Sequence, residues 1–371
     1  MNTPLFPDYQ RCGVNLANSI LAHFKQPTFH PTLPEVDQLL DAKEYQNVII
    51  FLADGLGSMI ADKHLKPNSF LQSHKLTDIS AVFPPTTTAA TTSIATGRTP
   101  AEHGWLGWNN YIPPVDAVVT MYRNYYKETR EPVSAEDVSK KYFPFTAIVD
   151  TLTEHGIEAH WVQPYERTTY PEHDLQACLA KVSKAIKSSN NRKFIYAYYT
   201  EPDYTMHDLG TTSKQAHRCI ERLDKQLAKF AAEHSDTLLI VTADHGHHDL
   251  KYEYLCDIPE LYDCLLRPTS LETRAVNFFL KPEKVDVFPE LFAKYFPDGF
   301  YLMPRAEVFE RQLFGPAHPE HPLFRECIGD YIAISIGELA LDDQHSDHIK
   351  ASSHGGLTPE EMIVPLFVHS S

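Results

Sequence analysis

Short, largely apolar runs recur along the chain at Asn47–Ala53, Ile157–Val162, Phe194–Tyr199, Thr237–Thr242 and Met362–Val368. Runs of this length without a polar face predict strands buried on both sides, the pattern of a mostly parallel sheet. Between them the period lengthens: Asp174–Ile186 and Ser213–Glu233 predict helices. In the second, Ala216, Ile220, Leu223, Leu227 and Phe230 fall on one helical face. Strand and helix alternate, so the predicted class is α/β with a sheet covered on both faces.

The rhythm breaks twice. Trp105–Phe145 is irregular and rich in Tyr, Pro and Trp. Residues 250–345 mix Leu255–Leu266, a strand-like Ala275–Leu280, and the Pro-punctuated Phe288–Phe296 and Phe300–Phe314. We expect a main domain of residues 1–249 and 346–371, with 250–345 inserted as a smaller α/β cap that carries no candidate ligand cluster.

Composition narrows the function. With 371 residues, 43% hydrophobic and 22% charged, the chain reads as a folded protein with a large core. Its 49 acidic against 33 basic residues leave a formal charge of −16, which repels a phosphate backbone. No nucleic-acid polymer is expected as partner, whereas clustered carboxylates binding cations fit well. The start MNTPLFPDYQRCGVNLANSI has no basic segment leading into an apolar run, so no signal peptide is expected. No stretch approaches bilayer-spanning length, and no membrane is expected. Six scattered cysteines predict reduced thiols and a cytoplasmic protein.

Candidate chemistry gathers where open α/β sheets place it, at the carboxyl ends of strands. NVIIFLADGLG delivers Asp54; FIYAYYTEPDYTMHDLG delivers Asp203, with His207 four residues on, one helical turn away. LLIVTADHGHHD delivers Asp244 and His245, and SSHGGLTPEEMIVPL places His354 before the last strand. Each motif alone reads as a turn, a solvated helix face or a surface histidine. Six such groups beside strand ends in one α/β chain read as a metal site. Mixed carboxylate and imidazole donors suit Zn²⁺, with Mn²⁺ and Fe²⁺ as competitors, and the number of donors suits two ions. A pair of ions about 4 Å apart clamps the attacking and leaving oxygens of an in-line displacement at phosphorus. FPPTTTAATTSIATG resembles a helix start, where free N–H groups favour an anion and a hydroxyl is placed for attack. On this segment alone, Thr86–Thr88 read first as helix caps.

Taken in order, LADGLG, FPPTTTAATTSIATGRTPAEHG, TEPDYTMHDLG, TADHG and SSHGG resemble the alkaline phosphatase superfamily, in particular its nucleotide pyrophosphatase/phosphodiesterase branch. The resemblance spans the main domain. It implies an alkaline phosphatase-like core, two divalent ions (zinc first, manganese second) and a covalent phospho-threonine intermediate. It further implies Asp54, Thr87, Asp244 and His245 as ligands of one ion, and Asp203, His207 and His354 as ligands of the other. The family's nucleophile lies nine positions before the Thr of a Thr–Gly pair, here Thr96–Gly97, and so points to Thr87 over Thr86 and Thr88. The family's phosphate-contacting Asn maps to Asn109, with Asn110 as the neighbour. FPPTTT departs from the branch's FPNHYT, which bears on substrate rather than chemistry.

The expected activity is hydrolysis of a small phosphodiester or nucleotide pyrophosphate. The rivals are a phosphomonoesterase, with Arg98 or Arg123 holding phosphate oxygens, a phosphonate C–P hydrolase, and a non-catalytic metal-stabilised module. His103 is expected to brace its loop, and His247 and His248 to face water rather than substrate, the alternative for both. Trp105, Trp108 and Tyr111 divide between leaving-group stacking and core packing.

Overall fold

The strongest apolar runs become neighbours in one sheet. The computed structural model describes residues 3–163, 175–346 and 349–371; Asp174, expected to open a helix, lies outside the described residues. Six strands build the central sheet: β1 (Asn47–Ala53), β2 (Lys75–Ser80), β3 (Glu158–Val162), β4 (Lys193–Tyr199), β5 (Thr237–Thr242) and β6 (Ile363–Ser370). Their spatial order is β2-β6-β5-β1-β4-β3. β5, β1, β4 and β3 run parallel, whereas β6 is antiparallel to both β5 and β2. Every residue of β1 and β5 is buried, which explains their unbroken apolar text.

β2 was not expected. Its sequence, KLTDIS, buries only Ile79 fully, and a half-exposed edge strand carries charges that hide the strand signal. The last apolar run divides: Met362 ends a short helix, Pro359–Met362, and the strand begins at Ile363.

Helices flank the sheet. Three matter below: α1 (Thr87–Thr96), α2 (Asp203–Leu209) and α3 (Lys214–Glu233). Ser213 caps α3 by accepting from Ala216 N–H at 3.1 Å, and the predicted face of Ala216, Ile220, Leu223, Leu227 and Phe230 is buried. Each of the larger side chains on that face contributes about 1.5–3 kcal/mol by leaving water. No helix among the described residues is long and apolar enough to cross a membrane.

A second, antiparallel sheet of seven strands orders as Phe300–Pro304, Tyr331–Ser335, Ala275–Phe278, Ser270–Glu272, Asn109–Ile112, Ala117–Thr120 and Tyr125–Tyr126. The 250–345 stretch therefore shares its sheet with part of the irregular 105–145 region, joined where Leu271 pairs with Asn109. A separate apolar cluster that includes Phe278, Phe288 and Phe292 packs under this sheet. In the turn between the strands Ser270–Glu272 and Ala275–Phe278, the wholly buried Arg274 pairs with Glu361, just before β6, and so ties the second sheet to the first.

Candidate active site

Three parallel neighbours, β5, β1 and β4, bring their acids to one place. The register sets Ala53 beside Tyr199 and Leu52 beside Thr242, so the chains leave the sheet at the same level. Asp54 N–H then donates to the Tyr199 carbonyl at 2.9 Å, Asp203 N–H to the Asp54 carbonyl at 3.0 Å, and Gly55 N–H to Asp244 Oδ1 at 3.1 Å. Two glycines are required. Gly55 has φ +73°, and a Cβ there would lie 3.0 Å from Asp203 Cα; at Gly246 it would lie 1.9 Å from the Glu360 carbonyl oxygen.

Three histidines share one arrangement. His245 Nδ1 lies 3.0 Å from the Gly246 carbonyl, His207 Nδ1 2.8 Å from that of Ser352, and His354 Nδ1 3.1 Å from that of Pro85. A carbonyl only accepts, so in each neutral ring Nδ1 carries the proton and Nε2 offers a lone pair. His245 Nε2 lies 3.3 Å from Asp54 Oδ1 and 3.5 Å from Asp244 Oδ2. His207 Nε2 and His354 Nε2 lie 3.3 and 3.6 Å from Asp203 Oδ1.

Asp54 Oδ1 and Asp244 Oδ2 are buried and accept no hydrogen bond from the described residues. Burial, with repulsion from Asp244 and Asp203, pushes the Asp54 carboxyl well above its ordinary value, and burial raises that of Asp244. Burial, with His245 beside it, drives His354 well down. Burial acts upward on Asp203 too, but His207 and His247 outweigh it and hold that carboxyl well below the usual range. Converging lone pairs and orphaned carboxylate oxygens are the donor set a divalent cation satisfies. Among the described residues three groups have ligand atoms within 4.8 Å of one another, and two of them meet here: Asp54, Asp203 and His245, and Asp203, His207, His247 and His354. The third, Cys256, Asp257 and His345, corrects the expectation that the 250–345 stretch carries no such cluster; its two halves are 88 residues apart and meet only through the fold.

Thr87 joins this constellation. As first residue of α1 it places Oγ1 3.2 Å from His245 Nε2 and 3.5 Å from Asp54 Oδ2. Thr86 and Thr88 are buried, and among the described residues neither hydroxyl hydrogen-bonds a metal-ligand candidate: Thr86 donates to Glu272, and Thr88 Oγ1 has no partner. Asn109 Oδ1 accepts from Thr120, and the residue lines a cavity of about 760 Å³. Asn110 is fully buried, its amide donating to the Gly104 carbonyl.

His247 corrects an expectation. Far from facing water, it is 1% exposed, with Nε2 2.5 Å from Asp203 Oδ1 and Nδ1 3.0 Å from Ser352 Oγ. The ring is held between the DHG turn and the strand Ser352–Ser353, a packing that its sequence neighbours do not reveal. His248 stays outside both ligand groups and contacts the Asp249 carbonyl. His103 does brace its loop: it is buried, accepts from Trp105 N–H and pairs with Ser93 Oγ. Trp105 and Tyr111 are buried, whereas Trp108 is 37% exposed at the cavity. Arg98 stacks on Phe29 and pairs with Glu102, and Arg123 lines the cavity.

Sequence reasoning missed four contacts at the site. Tyr198 donates to Asp54 Oδ2, and Lys350 Nζ lies 3.4 Å from His207 Nε2. Glu272 reaches in from the second sheet, and His247 is the fourth. Tyr198 had a signal, since period 2 in the strand before Asp203 sends alternate side chains to one face. Lys350 and Glu272 had none, because only tertiary pairing brings them near.

The described fold is similar to solved phosphohydrolase structures. Murine ectonucleotide pyrophosphatase/phosphodiesterase 5 superposes with TM-score 0.67 at 16% identity, covering 87% of this chain and 88% of that one. An inactive form of the same mouse protein in complex with AMP gives 0.66 at 16% identity, covering 88% of each chain. Phosphonoacetate hydrolase from Sinorhizobium meliloti 1021, in complex with phosphonoformate, gives 0.64 at 17% identity, covering 88% of this chain and 91% of that one. No curated protein sequence matches the chain. The sequence matches the type I phosphodiesterase/nucleotide pyrophosphatase family over residues 48–267, more than half its length, and the matched stretch runs from β1 through Thr87, Asp203 and His245. The chain therefore belongs to that family of divalent-metal-dependent phosphoester hydrolases.

Proposed function

We propose that the protein hydrolyses small phosphodiesters or nucleotide pyrophosphate bonds through a phospho-threonine on Thr87. One observation carries this reading: of three adjacent threonines, Thr87 alone opens a helix with its hydroxyl among Asp54 and His245. Asp54, Asp244, His245 and the Thr87 hydroxyl would hold one divalent ion, and Asp203, His207 and His354 the other, with zinc favoured by the N/O donor set. When bound, such a pair supplies Lewis-acid stabilisation of the attacking and leaving oxygens and lowers the pKa of a bound hydroxyl.

The chain's own residues do the rest. The Thr87 oxygen, its proton lost to solvent, forms a bond to phosphorus while the bond to the leaving oxygen breaks in line. The N–H groups of the first turn of α1 face the phosphoryl oxygens, a helix start being a natural anion site. The Asn109 amide, oriented by Thr120, would hold one of those oxygens. Water then cleaves the Thr87–phosphoryl bond, returning the hydroxyl and releasing the phosphate product.

A cavity of about 760 Å³ meets the proposed site through Asn109, with Trp108, Arg123, Tyr125, Arg130 and Arg267 in its wall; neither Thr87 nor a candidate metal ligand of that site lines it. That volume suits a nucleotide-sized leaving group better than a carboxymethyl phosphonate. Six free thiols support a cytoplasmic location. The test sets bis-p-nitrophenyl phosphate, p-nitrophenyl phosphate, p-nitrophenyl phenylphosphonate and phosphonoacetate before the zinc-loaded protein, with intact-mass analysis after acid quench. Diester turnover with one phosphoryl adduct on Thr87 is expected. Exclusive turnover of phosphonoacetate, or an adduct on another residue, overturns the proposal.

A further inference from the structure

One carboxylate from the second sheet reaches the point where the nucleophile helix begins. Glu272 ends the strand Ser270–Glu272, whose Leu271 pairs with Asn109. A single oxygen, Oε1, accepts from the Thr86 hydroxyl at 2.6 Å and from Trp108 N–H at 2.7 Å. The stem of Glu272 packs on the turn after His354, where a Cβ on Gly355 would lie 3.0 Å from Glu272 Cβ. Three segments of the candidate site thus meet one residue: the start of α1, the Trp108–Asn109 stretch and the His354–Gly355 turn.

Thr86 occupies the N-cap position of α1, with extended backbone at φ −142° and ψ 147°. A threonine there ordinarily turns its hydroxyl back to accept from a first-turn N–H. Here the side chain makes no such bond; the hydroxyl lies at Glu272 instead, to which it donates. A helix start has four N–H groups without internal partners, and a capped one offers fewer of them to an anion.

We propose that Glu272 is a positioning residue for the reaction: it draws the Thr86 hydroxyl off the start of α1, keeps the first-turn N–H groups open for a phosphoryl oxygen, and pins Asn109 beside them. This rests on the reading of Thr87 as nucleophile and of the α1 start as phosphoryl site. Among the described residues Glu272 makes no hydrogen bond to a candidate metal ligand, and its hydrogen bonds reach the site through Thr86 and the Trp108 backbone.

The test compares Glu272→Ala, Glu272→Gln, Thr86→Val and the double variant Thr86→Val/Glu272→Ala, all zinc-loaded. Inorganic phosphate is the probe, with affinity measured by calorimetry so that it is read even where no ester is turned over. In Glu272→Ala the released hydroxyl caps the helix, and phosphate binding weakens by about fivefold or more, the weight of one N-cap. Diester kcat/KM falls with it, while metal content holds. Glu272→Gln keeps an acceptor for both donors and retains most of the affinity. The double variant, which has no hydroxyl to cap with, binds phosphate more tightly than Glu272→Ala alone. That recovery is the outcome a merely structural role does not produce. Phosphate affinity in Glu272→Ala within twofold of the parent, or no recovery in the double variant, overturns the proposal. If Glu272→Ala does not fold, Glu272→Gln weakening phosphate as much as a full cap would do the same. Full turnover in Thr87→Ala would sink the nucleophile reading alone and leave this comparison standing.

Discussion

Replacing Glu361 with Gln should be among the costliest single changes in this protein. Glu361 and Arg274 are both fully buried, and the carboxylate accepts four hydrogen bonds. Arg274 Nε and Gly356 N–H donate to Oε1 at 2.7 and 2.8 Å; Arg274 Nη2 and the Thr358 hydroxyl donate to Oε2, each at 2.6 Å. A glutamine has one oxygen and one NH2, so either rotamer turns donors against two donors and leaves a guanidinium charge without its counter-ion. Breaking a buried pair in this way costs about 3–5 kcal/mol. Unfolding entropy for a chain of this length is about 0.8 kcal/mol/K, so Tm should fall by about 4–6 °C.

The pH dependence has a definite sign. Burial pushes the Glu361 carboxyl up, but Arg274 outweighs it and holds it below its ordinary value. A depressed carboxyl contributes stability above the ordinary carboxylate range, and that stability is lost as pH falls through the lowered value. The gap between parent and Glu361→Gln should therefore be widest near neutrality and close in acid. Urea denaturation at several pH values measures it, with Arg274→Met/Glu361→Leu as control. The double variant, which buries no charge, should be more stable than Glu361→Gln. A loss under about 1 kcal/mol at pH 7, or a gap that widens in acid, would refute the argument.

Thr87→Ala should lower diester turnover by about a thousandfold or more while the fold and nearly all bound metal remain, because three Asp/His donors stay on each side; Thr87→Ser should keep measurable activity, read by steady-state hydrolysis beside elemental analysis. His354→Ala should lose the ion held with Asp203 and His207, and Asp54→Asn the other; unchanged metal content in His354→Ala would remove it from the ligand set. His247→Ala should weaken metal affinity by about 10–100-fold through the loss of its bond to Asp203, measured by competition with a zinc chelator. Chelation should destabilise the protein by about 2.7 kcal/mol where free metal stood at a hundred times its Kd. With their pKa values raised, Asp54 and Asp244 then stabilise the metal-free form in acid and lose that contribution as pH rises through those values, which calorimetry across pH would show.

The parts of this protein legible in its sequence are those whose signals are local. A strand buried on both faces must be apolar throughout, so β1 and β5 could be read with the boundaries they have in space. Asp54, Asp203, Asp244 and His245 could be picked out because each follows its strand within a few residues, and His207 because it stands one helical turn beyond Asp203; parallel strands end their chains on one side of a sheet. The helix of Lys214–Glu233 was equally plain from its period. What the tertiary structure alone decided depends on residues far apart in the chain. β2 is a polar edge that becomes a strand only by pairing with β6, nearly three hundred residues later. The sheet that carries Glu272 closes only when Leu271 meets Asn109, and no periodicity records that partner. His247 looks like a surface histidine beside His248 until Ser352 and Asp203 enclose it. Local propensity did not separate Thr86, Thr87 and Thr88, since all three suit a helix start; the spacing to Thr96–Gly97 pointed to Thr87 by resemblance, and the fold adds that the Thr87 hydroxyl lies beside His245. Composition and period specify what each segment must bury, whereas the placement of a side chain against a distant one depends on how the sheets close.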